Sequence, residues 1–208
     1  MTKIYVLDRG ENVLPEACIE LLPPWRRERT EKLRNENARQ ESLAVGILWM
    51  KAMEEWGVES LASVAVLPAG KPVLSSGEGP FFSLSHSGRY VLCVVSDNAV
   101  GGDVQQMRKV NLSISRRLHP LEQQWLAERD EETKTEEFFR LWARKEAWVK
   151  AESGERMLSL SEADVIHDLP GWHFWDYALP GGYRAAVCAR EKGVPQFILF
   201  TGNELLRK

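Results

Sequence analysis

The sequence predicts an α+β fold made of two similar halves. Three observations predict it. Helical patterns give way to short apolar strands, and the same order recurs further along the chain. A length of 208 residues accommodates two compact halves of about 100 residues each. No low-complexity linker separates them, so the halves are expected to pack tightly together.

Alternation through Ile4 and Val6 predicts a first strand, and the charges at Lys3, Asp8, Arg9 and Glu11 are incompatible with a secretory signal. Pro23-Pro24 is a helix-initiating signal. The apolar set Leu43, Ala44, Ile47, Leu48 and Met50 follows, so one or two amphipathic helices are expected through about residue 56. Turns are expected around Gly70-Lys71-Pro72 and from Gly77 to Pro80. FFSLS (81–85), YVLCVVS (90–96) and AVGGDV (99–104) read as short strands. The second half offers helical patterns over about 112–129 and 135–151, then strands in ADVIH (163–167), WHFWDYAL (172–179), YRAAVCA (183–189) and QFILF (196–200).

Composition sets outer limits. With 44% hydrophobic and 27% charged residues the chain is neither disordered nor fibrous. No run approaches the roughly 18 apolar residues of a membrane helix. A formal net charge of -3 argues against bulk nucleic-acid binding. Cys18, Cys93 and Cys188 are far apart and form no C-x-x-C pair, which speaks against structural zinc and fits a reducing cytoplasm. Cys93 and Cys188, set in apolar runs, are expected as small buried hydrophobes.

Charge is unevenly spread. From Arg26 to Lys51 seven bases face four acids, whereas from Leu121 to Glu137 seven acids face two bases. The acidic run reads as a solvated helix face. In TEEFFRLWARKEAWVKAESGE (135–155), Phe138, Leu141, Trp142, Trp148 and Val149 recur at core spacing. Glu146 and Lys150 lie one turn apart on one face. Two readings of that pair stay open: an exposed i,i+4 ion pair, or a metal-holding acid beside a phosphate-binding base. Ser85, His86 and Ser87 precede Gly88 in a segment expected as an exposed turn suited to an anion, and the strand–elbow–helix pattern of a serine hydrolase is absent. Gly101-Gly102 permits either a bend or close backbone approach to a ligand, and Asp103 follows it.

Four segments occur in a telling order: Gly70-Lys71-Pro72, Phe82 to Gly88 (FSLSHSG), Val100 to Val104 (VGGDV), and Phe139 to Ala147 (FRLWARKEA) with Lys150. Together they resemble the 4′-phosphopantetheinyl transferases, in particular the larger, surfactin-synthetase-priming type that acts on carrier proteins of peptide and polyketide synthases. The resemblance implies two halves related by a pseudo-twofold axis, here 1–104 and 105–208, packed as one unit with the active site between them. It implies transfer of 4′-phosphopantetheine from coenzyme A to a serine of an apo acyl or peptidyl carrier protein, with release of adenosine 3′,5′-bisphosphate. By resemblance, Asp103 and Glu146 hold Mg²⁺, with Gln105 a further metal contact, and Asp103, Glu146 and Lys150 carry catalysis. Arg26, Arg29, Lys71, Pro72, Ser85, His86 and Lys150 would bind coenzyme A.

One departure stands out. The family pattern Asp-x-Glu is here Asp103-Val104-Gln105, leaving two carboxylates for the metal. The alternative expectation is therefore a catalytically weak relative that binds coenzyme A or a carrier. A cytoplasmic monomer is expected, with no nucleic-acid or membrane partner. Arg108, Lys109, Arg116 and Arg117 are candidate docking bases for an acidic carrier, and fatty-acid, polyketide, nonribosomal-peptide and lysine-pathway carriers all stay open.

Overall fold

A computed structural model describes residues 1–10, 13–58, 61, 64–68, 70–75, 77, 79–109, 112–152 and 158–206. The chain opens with β1 (Thr2–Asp8), a 3-10 turn (Glu16–Leu21), a short helix α1 (Pro24–Glu31) and a long helix α2 (Glu36–Glu55). A small hairpin, β2 (Val64–Val66) and β3 (Pro72–Leu74), precedes β4 (Phe81–Ser87) and β5 (Tyr90–Ser96). The pattern then recurs: β6 (Val100–Gln106), a 3-10 turn (Leu112–Arg117), α3 (Pro120–Ala127), α4 (Glu131–Glu152), and the hairpin β7 (His173–Leu179) and β8 (Tyr183–Ala189). A last strand, β9 (Gln196–Thr201), ends in a 3-10 turn.

Sheet order repeats with the element order. The first sheet runs β4-β5-β1-β9 and the second β6-β8-β7. In each, a hairpin closes antiparallel onto the strand that opened the unit: β5 on β1, and β8 on β6. β9 breaks the symmetry by pairing parallel with β1. The division expected at 104/105 falls inside β6, and β9 carries the second half back into the first sheet.

Three cores make four layers. α2 covers one face of the first sheet through residues such as Leu48, Trp49, Tyr5 and Cys93. The sheets meet through Ile4, Val6, Leu92 and Val94 against Val100, Val104, Ala185 and Val187. α4 covers the outer face of the second sheet through Leu141, Ala147 and Trp148 against Phe174, Ala186 and Cys188. Both faces of β5 and β8 are thus covered, which explains why their sequences are nearly continuous apolar runs, interrupted in β8 by Arg184. All three cysteines are buried and free.

Local chemistry sets the helix boundaries. Pro24 opens α1, and Asn35 caps α2 by accepting from the Ala38 N–H at 3.0 Å. The single helix expected over 112–129 is divided, because Pro120 lacks an N–H and disfavours helical backbone at His119. Asp130 caps α4 through the Thr133 N–H at 2.8 Å, so the helix starts four residues earlier than expected. Residues 153–155 of the expected helical segment lie outside the described residues.

ADVIH is not a strand. Its backbone groups are satisfied by side chains instead of a ladder. The Val165 N–H donates to Glu122, while the carbonyls of Val165 and Ile166 accept from Arg144 Nη1. Among the described residues no helix is long and apolar enough to cross a membrane.

β6 lies clamped between two neighbours. A Cβ on Gly101 would overlap the Ala147 carbonyl oxygen of α4 and lie 2.6 Å from the Ala151 nitrogen, and one on Gly102 would overlap the Val94 side chain. Gly101→Ala should therefore destabilise the fold by about 3 kcal/mol or more in denaturant titration, near the upper end of overpacking penalties because the obstacle is backbone.

Candidate functional site

The site is built on the seam where β4, at the edge of the first sheet, meets β6, at the edge of the second. Asp103 shares a strand face with Gly101 and so points toward α4. Asp103 is 2% exposed, and both of its carboxylate oxygens accept hydrogen bonds. Oδ1 accepts from Lys150 Nζ and from Ser85 Oγ, each at 2.7 Å. Oδ2 accepts from Gln105 Nε2 at 2.7 Å. Lys150 also donates to the Gly102 carbonyl at 3.2 Å. Lys150 is thus drawn to Asp103 of the neighbouring strand β6, within the same unit, and not to Glu146 as in an exposed i,i+4 pair.

Glu146, one turn before Lys150, is half-buried. Burial, and then the charge of Asp103, hold its carboxyl above the usual range, while Lys150 and Arg117 pull the other way. Among the described residues no group of three or more His, Cys, Asp or Glu side chains is disposed to hold a metal. Asp103 and Glu146, two carboxylates that sense each other's charge, are what the site offers a hard cation. Gln105 donates through Nε2 to Asp103, so its Oε1 is the atom it could offer a metal.

A cavity of about 330 Å³ opens beside Asp103. Gln105, Asp103 and Lys150 of the second unit and Arg26, Arg29 and His86 of the first line it together. Gly70, from the turn joining β2 and β3, and Pro72, the first residue of β3, also line it. Arg26 is buried and donates through Nε and Nη2 to the Ser42 carbonyl at 3.1 and 3.0 Å. Burial, and secondarily Arg29, draw its pKa down to about 9, which leaves it charged at neutral pH.

His86 lies in β4, not in a turn. Its Nδ1 is 3.0 Å from Glu41 of α2. Burial holds it below the ordinary imidazole range, with Arg26 and Lys150 adding to the effect and Glu41 opposing it. Lys71 does not line the cavity. Its ammonium instead meets the carbonyls of Lys150 and Ala151 at the end of α4, and burial draws its pKa down to about 8. Ser85, expected at a coenzyme A phosphate, has its hydroxyl engaged by Asp103 and by the Val104 N–H, the latter at 3.4 Å. Arg39 pairs with Glu16, away from this cavity.

Residues 99–188, from the start of β6 to the end of β8, match the family model of the 4′-phosphopantetheinyl transferase superfamily. The chain is 30% identical over 150 residues to 4′-phosphopantetheinyl transferase Sfp of Bacillus subtilis, covering 66% of this chain and 67% of that relative. It is 37% identical over 157 residues to 4′-phosphopantetheinyl transferase AcpT of Salmonella typhimurium, covering 73% and 72%. A further 4′-phosphopantetheinyl transferase of Bacillus subtilis is 27% identical over 180 residues, covering 78% and 80%.

Beneath the site lies an ion pair that sequence reading missed. Glu122, counted in a solvated acidic face, is fully buried and 2.9 Å from the equally buried Lys145 Nζ. Glu122 also accepts from the backbone of His119 at 3.0 Å and of Val165 at 2.7 Å, while Lys145 donates to the Ala163 carbonyl. Burial raises the Glu122 pKa and lowers that of Lys145. The capping-box spacing from His119 to Glu122 was the available clue. Lys145→Met should destabilise the protein by about 3–5 kcal/mol, by leaving a buried carboxylate unpaired. Glu122→Leu combined with Lys145→Met should recover much of that loss in the same urea titration.

Proposed function

The chain belongs to the 4′-phosphopantetheinyl transferase superfamily, and on that premise we propose that the β4–β6 seam is where the phosphopantetheine group of coenzyme A passes to a serine of a carrier protein. One observation carries the reading: a lysine–carboxylate pair, Lys150 with Asp103, faces Arg26, Arg29 and His86 across a cavity of about 330 Å³. Such a cavity offers separate places for anionic phosphate and for the reacting end.

Arg26, Arg29 and His86 gather the 3′-phosphate of coenzyme A. The guanidinium of Arg26 is already desolvated and held in place by Ser42, so little ordering remains on binding. Gly70 and Pro72 flank the nucleotide, and Lys71 supports the end of α4 behind them. Lys150, which now meets Asp103, turns part of its charge to the pyrophosphate. Asp103 and Glu146 would hold Mg²⁺, which when bound draws charge from the pyrophosphate and steadies the leaving group.

Transfer is attack by the carrier serine oxygen on the phosphorus that bears the pantetheine arm. The bond to adenosine 3′,5′-bisphosphate breaks, and Glu146 takes the serine proton. Burial and the charge of Asp103, which hold its carboxyl above the usual range, make it a stronger proton acceptor than an exposed glutamate. The exposed bases Arg108, Lys109, Arg116 and Arg117 provide a docking surface for an acidic carrier. We place the enzyme in the cytoplasm as a monomer, acting on carriers of fatty-acid, polyketide or nonribosomal-peptide synthesis. Gln105 alone favours the second reading, a weak relative with lower metal affinity.

The test is incubation with coenzyme A, Mg²⁺ and a panel of apo carriers, followed by mass spectrometry. A phosphopantetheine mass gain on the carrier serine is expected, and removal of the metal with a chelator should abolish it. No gain on any carrier would leave only the binding reading. Glu146→Gln and Asp103→Asn should each largely abolish transfer. Ionising Glu146 is disfavoured in the folded protein, so its presence lowers stability as pH rises through its raised pKa. Metal-free Glu146→Gln should accordingly melt above the parent at pH 8 in a thermal scan.

A further inference from the structure

Every second residue of β4 from Ser83 to Ser87 is a serine, and these side chains point at β6. Ser83 Oγ accepts the Gly102 N–H at 3.1 Å, Ser85 Oγ the Val104 N–H at 3.4 Å, and Ser87 Oγ the Gln106 N–H at 3.0 Å. In an antiparallel strand, alternate N–H groups face away from the paired neighbour, and β6 pairs with β8 on its other edge. The three N–H groups are therefore the open edge of β6. Its Gly102 carbonyl is met by Lys150. Side-chain hydroxyls thus do at this seam what a backbone ladder does within a sheet. Ser83 and Ser85 are buried, where an unpaired N–H would be destabilising.

We propose that Ser83, Ser85 and Ser87 form a hydroxyl ladder that positions the reacting groups: it holds β4 and β6 in one register, and Ser85 aims the Asp103 carboxylate. The spacing makes the register discrete. Three hydroxyls two residues apart meet three N–H groups two residues apart, and a one-residue slip would turn every hydroxyl from its partner. The hydroxyl of Ser85 has one hydrogen to donate, and it goes to Asp103 Oδ1 at 2.7 Å. That oxygen is the one Lys150 also holds. Ser85 lines the cavity, but its hydrogen is given to Asp103, and it therefore acts through that carboxylate as a positioning residue.

The proposal rests on the reading of Asp103 as a working carboxylate, and the two separate in a kinetic comparison on the full chain. Ser85→Ala, assayed with coenzyme A, Mg²⁺ and apo carrier, should lower kcat about tenfold or more while KM for coenzyme A stays within about twofold. Ser85→Thr, which keeps the hydroxyl, should recover most of the loss. A raised KM with unchanged kcat would make Ser85 a coenzyme A ligand and overturn the ladder, as would parent-like values for both constants. Should Ser85→Ala fail to fold, Ser83→Ala carries the test with the same expected split, and an unchanged kcat refutes the proposal. Full activity in Asp103→Asn would instead refute the carboxylate assignment, whatever the serine variants do.

Discussion

Much of this structure depends on the approach of helix α4 to strand β6 at Gly101, where no side chain separates the strand from the Ala147 carbonyl. Any larger residue would displace the helix outward. Glu146 and Lys150 flank the contact in sequence, and Asp103 lies two residues along the strand on the same face. Close backbone approach thus brings a lysine and two carboxylates from distant parts of the chain into one site. Gly102 does the converse on the other face, seating β6 against Val94 and closing the two sheets together. The pair of glycines is best understood as a spacing device that fixes both neighbours of the strand at once.

Helix position alone does not settle rotation about the axis. The buried pair of Lys145 and Glu122 supplies that restraint from the side opposite the sheet seam. Glu122 joins α3, α4 and the irregular 163–166 segment through charge-assisted bonds, and Arg144 adds the Val165 and Ile166 carbonyls and a bidentate grip on Asp176 of β7. Two residues immediately before Glu146 are thereby tied to separate elements. A buried ion pair contributes little net stability compared with an apolar pair of similar volume. Its directional bonds nevertheless specify an orientation that apolar contacts leave loose.

How legible was all this in sequence? Strands buried on both faces were read to the residue, as at 90–96 and 183–189, because a short, nearly continuous apolar run between turn residues has few other interpretations. The repeated element order was visible as well. Long-range pairing was not: nothing in QFILF indicates that β9 returns to β1, because alternation records burial and not partner. Glu122 was misread for a related reason, since a charged residue in an acidic run looks solvated until its distant partner is known. ADVIH has strand-like composition, yet side chains elsewhere claimed its backbone. Ordered motifs located the site residues, while their hydrogen bonds followed from packing. Ser85 is the clearest case, its family motif suggesting a phosphate and its fold supplying Asp103.

The remaining question is why such chemistry sits on a seam. Arginine and histidine placed within reach of Asp103 and Glu146 in one compact half would pair with those carboxylates directly, leaving neither charge available to a ligand. Here α1 and β4 of the first unit carry Arg26, Arg29 and His86, while β6 and α4 of the second carry the carboxylates. A cavity keeps the two sets apart. Within the first unit Glu41 holds His86, and Arg26 is steadied by a neutral carbonyl, so its positive charge is oriented without being cancelled. Only Lys150 joins the two signs, and it does so from the same helix as Glu146. It bonds Asp103 and the Gly102 carbonyl while lining the cavity, so one of its three ammonium hydrogens is left over for an anion there. The small overall charge of -3 is therefore no guide to the site: what matters is that Arg26 and Arg29 are carried by one unit and the carboxylates Asp103 and Glu146 by the other, with no ion pair between the two sets among the described residues.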